Sequence, residues 1–246
     1  MPASRPFAAV WFDCDSTLSR IEGVDEILGS SSPELRREIL DLTRAAMEGR
    51  VPLAGIYETR IERVAPTREM LARVGRRYVE CAVPDAGAVC EVLRWLGKRI
   101  GILSGGLLPA VRVLADHLGV PSSDVHAVPI RFRPDGTYAG FDRSSPLWRN
   151  RGKVEVIAGL PAAFRPFCFV GDGVTDLETR GTADLFVGFG GVEVREPVRL
   201  GADCWCETPS LAGILPFVLT AEELAAVRRE PRFADLAARL SEESAP

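Results

Sequence analysis

The chain has 246 residues, 46% hydrophobic and 26% charged, with a formal net charge of −4, a composition that suits a globular protein large enough to bury a substantial core. The acidic balance and the lack of any long Lys/Arg run exclude a nucleic-acid footprint. No segment has the length and apolarity of a membrane span or a secretory leader, so no membrane partner and a cytoplasmic location are expected.

In chain order the first apolar run, residues 7–12, reads as a strand and ends in Asp13-Cys14-Asp15-Ser16-Thr17. Alternate strand residues point the same way, so the two carboxylates leave the strand end roughly parallel with Cys14 turned aside. Carboxylates this close repel each other, and a divalent cation or a shared proton relieves the repulsion. A carboxylate is also a competent nucleophile at phosphorus. The same run reads equally as a strand followed by an Asx turn, and the octapeptide alone leaves both open.

Residues 19–83 contain no convincing strand. Their apolar residues follow helical spacing (Leu35, Ile39, Leu40, Leu42; Met70, Leu71, Val74), and Ser32-Pro33-Glu34 and Pro66-Thr67-Arg68-Glu69 have the polar caps and acidic first turns of helix starts. This is an all-helical insert directly after the aspartate pair.

Helices are then expected over 85–96, 108–118, 152–160 and 175–180, alternating with strands at 99–103, 167–170, 185–188 and 202–206. A hairpin is expected over 125–141 around Pro134-Asp135-Gly136. From Thr220 the tail reads as a capped amphipathic helix, with a shorter one from Pro231, able to pack on the core or on a partner chain. The alternation predicts an α/β fold, a doubly wound and mainly parallel sheet. Its core would comprise 1–18 and 84–219, with a helical cap at 19–83 and a helical extension at 220–246.

Six cysteines without a C-x-x-C pair read as mostly buried free thiols, and His117 and His126 as structural residues. Three further signals stand at strand ends, where an open α/β sheet places its ligands. Ser104-Gly105-Gly106 offers a hydroxyl and backbone N–H groups between a strand and a helix. Lys153 stands near the start of an apolar helix, flanked by Arg149 and Arg151, which read as solvent-facing. Gly171-Asp172-Gly173-Val174-Thr175-Asp176 sets one carboxylate at a strand end and another on the next helical turn. Asp172 together with Asp13 suits a hard cation such as Mg²⁺, and Asp176 suits either that shell or a helix N-terminus.

Asp13-Cys-Asp15-Ser-Thr17, Ser104, Lys153 and Gly171-Asp172-Gly-Val-Thr-Asp176 occur in the order of the four motifs of the haloacid dehalogenase superfamily, which the chain resembles from about residue 7 to 189. Within it the chain is similar to the phosphoserine phosphatase family. Arg20-Ile-Glu22-Gly-Val-Asp-Glu, Met47-Glu-Gly-Arg-Val-Pro52 and Arg60 match segments of that family's helical cap. The resemblance implies Mg²⁺-dependent hydrolysis of O-phosphoserine, the closing step of serine biosynthesis, by a monomer or homodimer. It implies Asp13 as nucleophile and metal ligand, and Asp15 as general acid/base that also binds the metal through its main-chain carbonyl. Asp172 would be a metal ligand, with Asp176 supporting it. Ser104, Gly105 and Lys153 would hold the phosphoryl group, with Met47 and Thr175 near the substrate. Glu22 would bind the substrate ammonium and Arg60 its carboxylate. Glu48 departs from the family, where glycine is frequent. The alternatives are a phosphatase or phosphotransferase of the same fold acting on another small phosphate ester, and a non-catalytic phospholigand-binding module.

Overall fold

Among the described residues eight strands divide into a sheet and a ribbon. They are β1 (Ala9–Phe12), β2 (Arg99–Leu107), β3 (Val125–Val128), β4 (Ile130–Phe132), β5 (Tyr138–Phe141), β6 (Phe167–Gly171), β7 (Leu185–Phe189) and β8 (Cys204–Cys206). The computed structural model describes residues 3–28, 33–48, 50 and 53–242, and of 46, 47, 53, 54, 241 and 242 the backbone alone. Six strands form a parallel sheet in the order β3-β2-β1-β6-β7-β8, and β4 pairs antiparallel with β5. Every residue of β1 and β6 is buried, which is why these strands are continuous apolar runs rather than alternating ones. From β1 the chain goes to β2 on one side and returns later to β6 on the other. The carboxyl end of β1 is therefore the switch point of the sheet, where a ligand crevice opens.

Two expectations change in detail. The strand expected to stop at Leu103 runs on to Leu107, so Ser104-Gly105-Gly106 lies within β2 rather than in a turn after it. Between Leu103 and Leu107 the register with β3 slips, a bulge that re-aims the backbone beside the switch point. The expected hairpin is shorter, because residues 125–128 join the parallel sheet and only Ile130–Phe132 pairs with Tyr138–Phe141. Pro129 lies between the two pairings and has no N–H to offer a ladder.

Between β1 and β2 the described residues form α1 (Gly23–Ile27), α2 (Pro33–Met47), α3 (Leu53–Val64), α4 (Arg68–Glu80) and α5 (Ala86–Trp95). At α4 the Thr67 hydroxyl accepts the Met70 N–H at 3.2 Å, the cap expected from its sequence. The buried face of α4, with Leu71, Val74 and Tyr78, packs on α6 (Leu108–His117). There follow α7 (Gly152–Ala158), α8 (Val174–Leu177), α9 (Glu196–Gly201), α10 (Leu215–Val218), α11 (Ala221–Arg229) and α12 (Ala234–Glu242). Ser32, at the expected start of α2, lies outside the described residues.

The tail packs on the core. Thr220 and Glu223 cap α11 reciprocally, Lys98 reaches Glu223 at 2.6 Å, Arg239 reaches Asp85 at 2.7 Å, and the Phe233 ring meets Trp95 edge-on at 5.5 Å. All six cysteines are free, and the His126 ring packs against Trp11. Among the described residues no helix is long and apolar enough to cross a membrane.

Candidate active site

Asp13 is the first residue past β1, and its N–H donates to the Val170 carbonyl of β6 at 3.0 Å. That bond fixes the strand end from which the carboxylate projects. The chain then turns tightly: the Cys14 carbonyl accepts N–H bonds from Leu18 and Ser19, both at 3.0 Å. Asp15 thereby faces α1 and α4, while the Cys14 side chain is buried. Burial, with Asp15 and Asp13 beside it, pushes the Cys14 thiol well above its ordinary pKa, so it is an inert spacer.

Asp15 Oδ1 accepts the Gly23 N–H at 2.7 Å and the Tyr78 hydroxyl at 2.5 Å. Gly23 allows this approach, because a Cβ there would lie 2.1 Å from Tyr78 Oη. Burial, then the charges of Glu22 and Asp13, push Asp15 up to about 8 despite those two donors. Its carboxyl therefore carries a proton more readily than an ordinary aspartate.

On the other side of β1, Asp172 follows β6 and its Oδ1 accepts the Thr17 hydroxyl at 2.8 Å. Asp176, one turn into α8, accepts N–H bonds from Asp172 at 3.1 Å and Gly173 at 2.9 Å on Oδ2, and pairs with Lys153 through Oδ1. A Cβ on Gly171 would stand 2.3 Å from Asp176 Cγ, so glycine is what lets the buried carboxylate fold back beneath the strand end. Burial and Asp13 push Asp176 up to about 7 against the pull of Lys153. Lys153, itself buried, lies 2.8 Å from Asp13 Oδ1. Burial works against its ammonium, but Asp13 and Asp176 together outweigh it and raise its pKa.

Asp13, Asp172 and Asp176 each offer a carboxylate oxygen within 4.8 Å of the others. Both Asp176 oxygens are engaged, and those of Asp172 hold the Thr17 hydroxyl and Arg195, so a cation between Asp13 and Asp172 would take the place of the Arg195 guanidinium. Such an all-oxygen donor set suits a hard divalent cation.

Asp13, Asp15, Glu22, Arg60, Gly105, Lys153 and Thr175 all line one cavity of about 50 Å³, more than one water molecule needs. Ser104 is fully buried and does not line it; its Oγ accepts the Gly106 N–H at 2.9 Å, and Gly105 and Gly106 form the wall there. The Met47 side chain lies outside the described residues. Arg149, read from sequence as solvent-facing, stands at the cavity rim and pairs with Glu155 at 2.6 Å. Glu48 lies off this cavity: it pairs with Arg50 at 2.6 Å and lines a wider outer cleft of about 630 Å³ that Glu22, Asp25, Thr43, Arg44 and residues 193–197 also line.

Glu22 stands just before α1, where its Oε1 accepts the Ser16 hydroxyl at 2.8 Å and Arg195 Nη2 at 3.3 Å rather than a helix N–H. Arg195 also pairs with Asp172. Arg60 is buried on α3, its Nη2 3.7 Å from Asp25 Oδ1. Burial, outweighing the opposing pull of Arg60, pushes Asp25 up to about 6. Three residues at the site were not singled out by sequence reasoning: Tyr57, Tyr78 and Arg195. Tyr78 sits at helical spacing from Val74 and reads as core, and Arg195 precedes a helix too short to register. For neither was there a signal beyond residue type.

A family model for haloacid dehalogenase-like hydrolases matches residues 10–179. The chain is 34% identical over 197 residues to phosphoserine phosphatase of Bos taurus, spanning 79% of this chain and 87% of that one. It is 34% identical over 193 residues to the Homo sapiens enzyme, spanning 78% and 85%. The fold superposes on a phosphoserine phosphohydrolase-like protein of Francisella tularensis with a TM-score of 0.75 at 24% identity, covering 90% of this chain and 99% of the other. The chain thus belongs to the haloacid dehalogenase-like hydrolases, within their phosphoserine phosphatase family, and is a phosphatase.

Proposed function

We propose that this phosphatase hydrolyses O-phosphoserine to serine and phosphate through a phospho-aspartyl intermediate on Asp13. The observation that carries the substrate assignment is that Glu22 and Arg60 line the same cavity as Asp13 and Lys153. A free amino acid phosphate carries an ammonium and a carboxylate besides its phosphate, and an acid with a forked base is what recognises them. The 34% identity to phosphoserine phosphatases supports the same reading.

Asp13 attacks phosphorus and Asp15, whose raised pKa suits proton carriage, gives its proton to the departing serine oxygen. Asp15 then takes a proton from the water that cleaves the phospho-aspartyl bond. Lys153 neutralises phosphoryl charge beside Asp13, and Gly105 gives that group a backbone N–H from the β2 bulge, with Ser104 behind it. Thr175 lines the same cavity and would stand near the substrate. Mg²⁺, held by Asp13, Asp172 and the Asp15 carbonyl with Asp176 supporting them, would offset repulsion between the nucleophile and the phosphoryl dianion.

The test is kcat/KM with Mg²⁺ for O-phosphoserine, O-phosphothreonine, phosphoethanolamine and glycerol phosphate. Phosphoserine is expected to lead the panel. Equal values on all four would refute the amino-acid assignment and leave a phosphatase of some other small ester.

A further inference from the structure

Two hydrogen-bond donors on one face of α3 are left over. Tyr57 and Arg60 stand three residues apart, so their side chains share a helix face, and both line the cavity that holds Asp13 and Lys153. Both are 4% exposed. Tyr57 Oη and Arg60 Nε are buried and have no hydrogen-bond partner among the described residues. The acceptor facing Arg60, Asp25 Oδ1, is 3.7 Å away from Nη2, outside hydrogen-bond reach. Buried polar groups are almost always bonded, so each exception calls for a partner.

The tyrosine is firmly placed. Its ring meets Phe141 edge-on at 5.6 Å, and Phe141 in turn packs on Trp148. Burial raises the Tyr57 hydroxyl's pKa above its ordinary value, so it is a donor at any working pH. Arg60 and Asp15 are the charges that act most on it. Asp25 Oδ1, itself buried without a hydrogen-bond partner, meets Arg60 only at ion-pair distance, and no acceptor among the described residues bonds Tyr57 Oη or Arg60 Nε.

We propose that Tyr57 is a specificity-determining residue whose hydroxyl donates one of two hydrogen bonds to the substrate carboxylate, Arg60 donating the other. This rests on the amino-acid phosphate reading above and deepens it. The phosphoryl group goes to Lys153 and Gly105, the ammonium to Glu22, and the carboxylate to the α3 face. A phosphate ester with no carboxylate would leave both donors stranded in a dry pocket, a strong basis for rejection.

The experiment is the ratio of kcat/KM for O-phosphoserine to that for phosphoethanolamine, which differs by lacking the carboxylate. The ratio cancels any loss of folded enzyme. In Tyr57→Phe it is expected to fall about tenfold, the scale of one hydrogen bond to a charged group. The fall should lie in the KM for phosphoserine, as uniform binding requires. Arg60→Lys is expected to lower the ratio too. The double variant should lose less than the product of the single losses, because both donors hold one carboxylate. A Tyr57→Phe ratio equal to wild type, or equal losses on both substrates, would overturn the proposal while leaving phosphoserine as substrate. A wild-type ratio near one would instead refute the substrate reading, and the Tyr57 assignment with it.

Discussion

Tyr78 is the sharpest place to test how Asp15 is held. The substitution Tyr78→Phe keeps the ring in its buried socket against α1 and α6 and removes one oxygen, the donor 2.5 Å from Asp15 Oδ1. A hydrogen bond to a buried charged group contributes about 1.5–3 kcal/mol. The Tyr78 hydroxyl stabilises the ionised carboxylate, and the Gly23 N–H at 2.7 Å is the other donor on that oxygen. Removing it therefore drives the Asp15 pKa further up. If Asp15 acts as the acid, the alkaline limb of its pH–rate profile reports loss of its proton. At about 1.4 kcal/mol per pH unit, 1.5 kcal/mol moves that limb upward by about one pH unit. The freed carboxyl also loses its fixed orientation, so kcat at the optimum should fall by about tenfold. The assay is steady-state kinetics from pH 5 to 10 with O-phosphoserine and saturating Mg²⁺, beside a thermal melt that verifies folding. A folded variant whose limb stays in place, or moves down, would refute the role of Tyr78 in holding Asp15.

Other outcomes follow from the same geometry. Asp13→Asn removes the proposed nucleophile, and turnover should drop by about 10³-fold or more; near wild-type turnover would rule out the covalent route. Lys98→Met strands Glu223 at the junction of α11 and the sheet, where Lys98 is buried and donates to both Glu223 and the Phe7 carbonyl. Breaking a buried pair on one side costs about 3 kcal/mol, read as a lower urea midpoint; an unchanged midpoint would show that the tail adds little. Asp15 and Asp176, pushed up to about 8 and 7 from 3.8, favour folding most at pH below 3.8 and lose that contribution as pH rises through those values. Protein without metal should therefore melt progressively lower between about pH 4 and 8, and added Mg²⁺ should raise the melting temperature more at pH 8 than at pH 5. An equal rise at both would argue against a cation among these carboxylates.

What could be read from the chain beforehand tracks where the physics is local. β1 and β6 were legible because burial on both faces writes a continuous apolar run, and Asp13, Asp15 and Asp172 because polar residues at the ends of such runs need a reason. The tail of β2 was not, since Ser104-Gly105-Gly106 has turn composition and its strand character comes from neighbouring strands. Strand β3 merged with the hairpin for a similar reason: only its pairing with β2 separates residues 125–128 from Ile130 onward. Glu22 and Arg60 look ordinary in sequence, a helix-start acid and a surface arginine, and only the family resemblance singled them out. Arg60 is in fact buried. Tyr78 and Arg195 reach the site from α4 and from the start of α9, distant elements brought in by tertiary packing, which no spacing rule encodes.

The electrostatics of the site explain why Asp15 and Asp176 hold protons more readily than ordinary aspartates. Asp13, Asp15, Glu22, Asp172 and Asp176 crowd the strand ends against Lys153 and Arg195, with Arg60 farther along the cavity wall. Lys153 lies between Asp13 and Asp176, and Arg195 between Asp172 and Glu22. Among the described residues Asp15 has no cation of its own: its partners are the neutral Tyr78 hydroxyl and the Gly23 N–H. Negative charge in excess of the cations at a buried site must be relieved by protons or by a further cation. The raised pKa of Asp15 and Asp176 shows protons taking that role in the protein alone. A divalent cation between Asp13 and Asp172 would take over the role for Asp176, because Asp13 is the charge that chiefly opposes its ionisation after burial. It would do less for Asp15, whose leading charge influence is Glu22. The proton that the proposed chemistry needs is therefore kept on Asp15 first by burial and then by Glu22, the residue proposed to hold the substrate ammonium. Ammonium binding would weaken that influence and lower the Asp15 pKa, easing proton release to the leaving oxygen once substrate is in place.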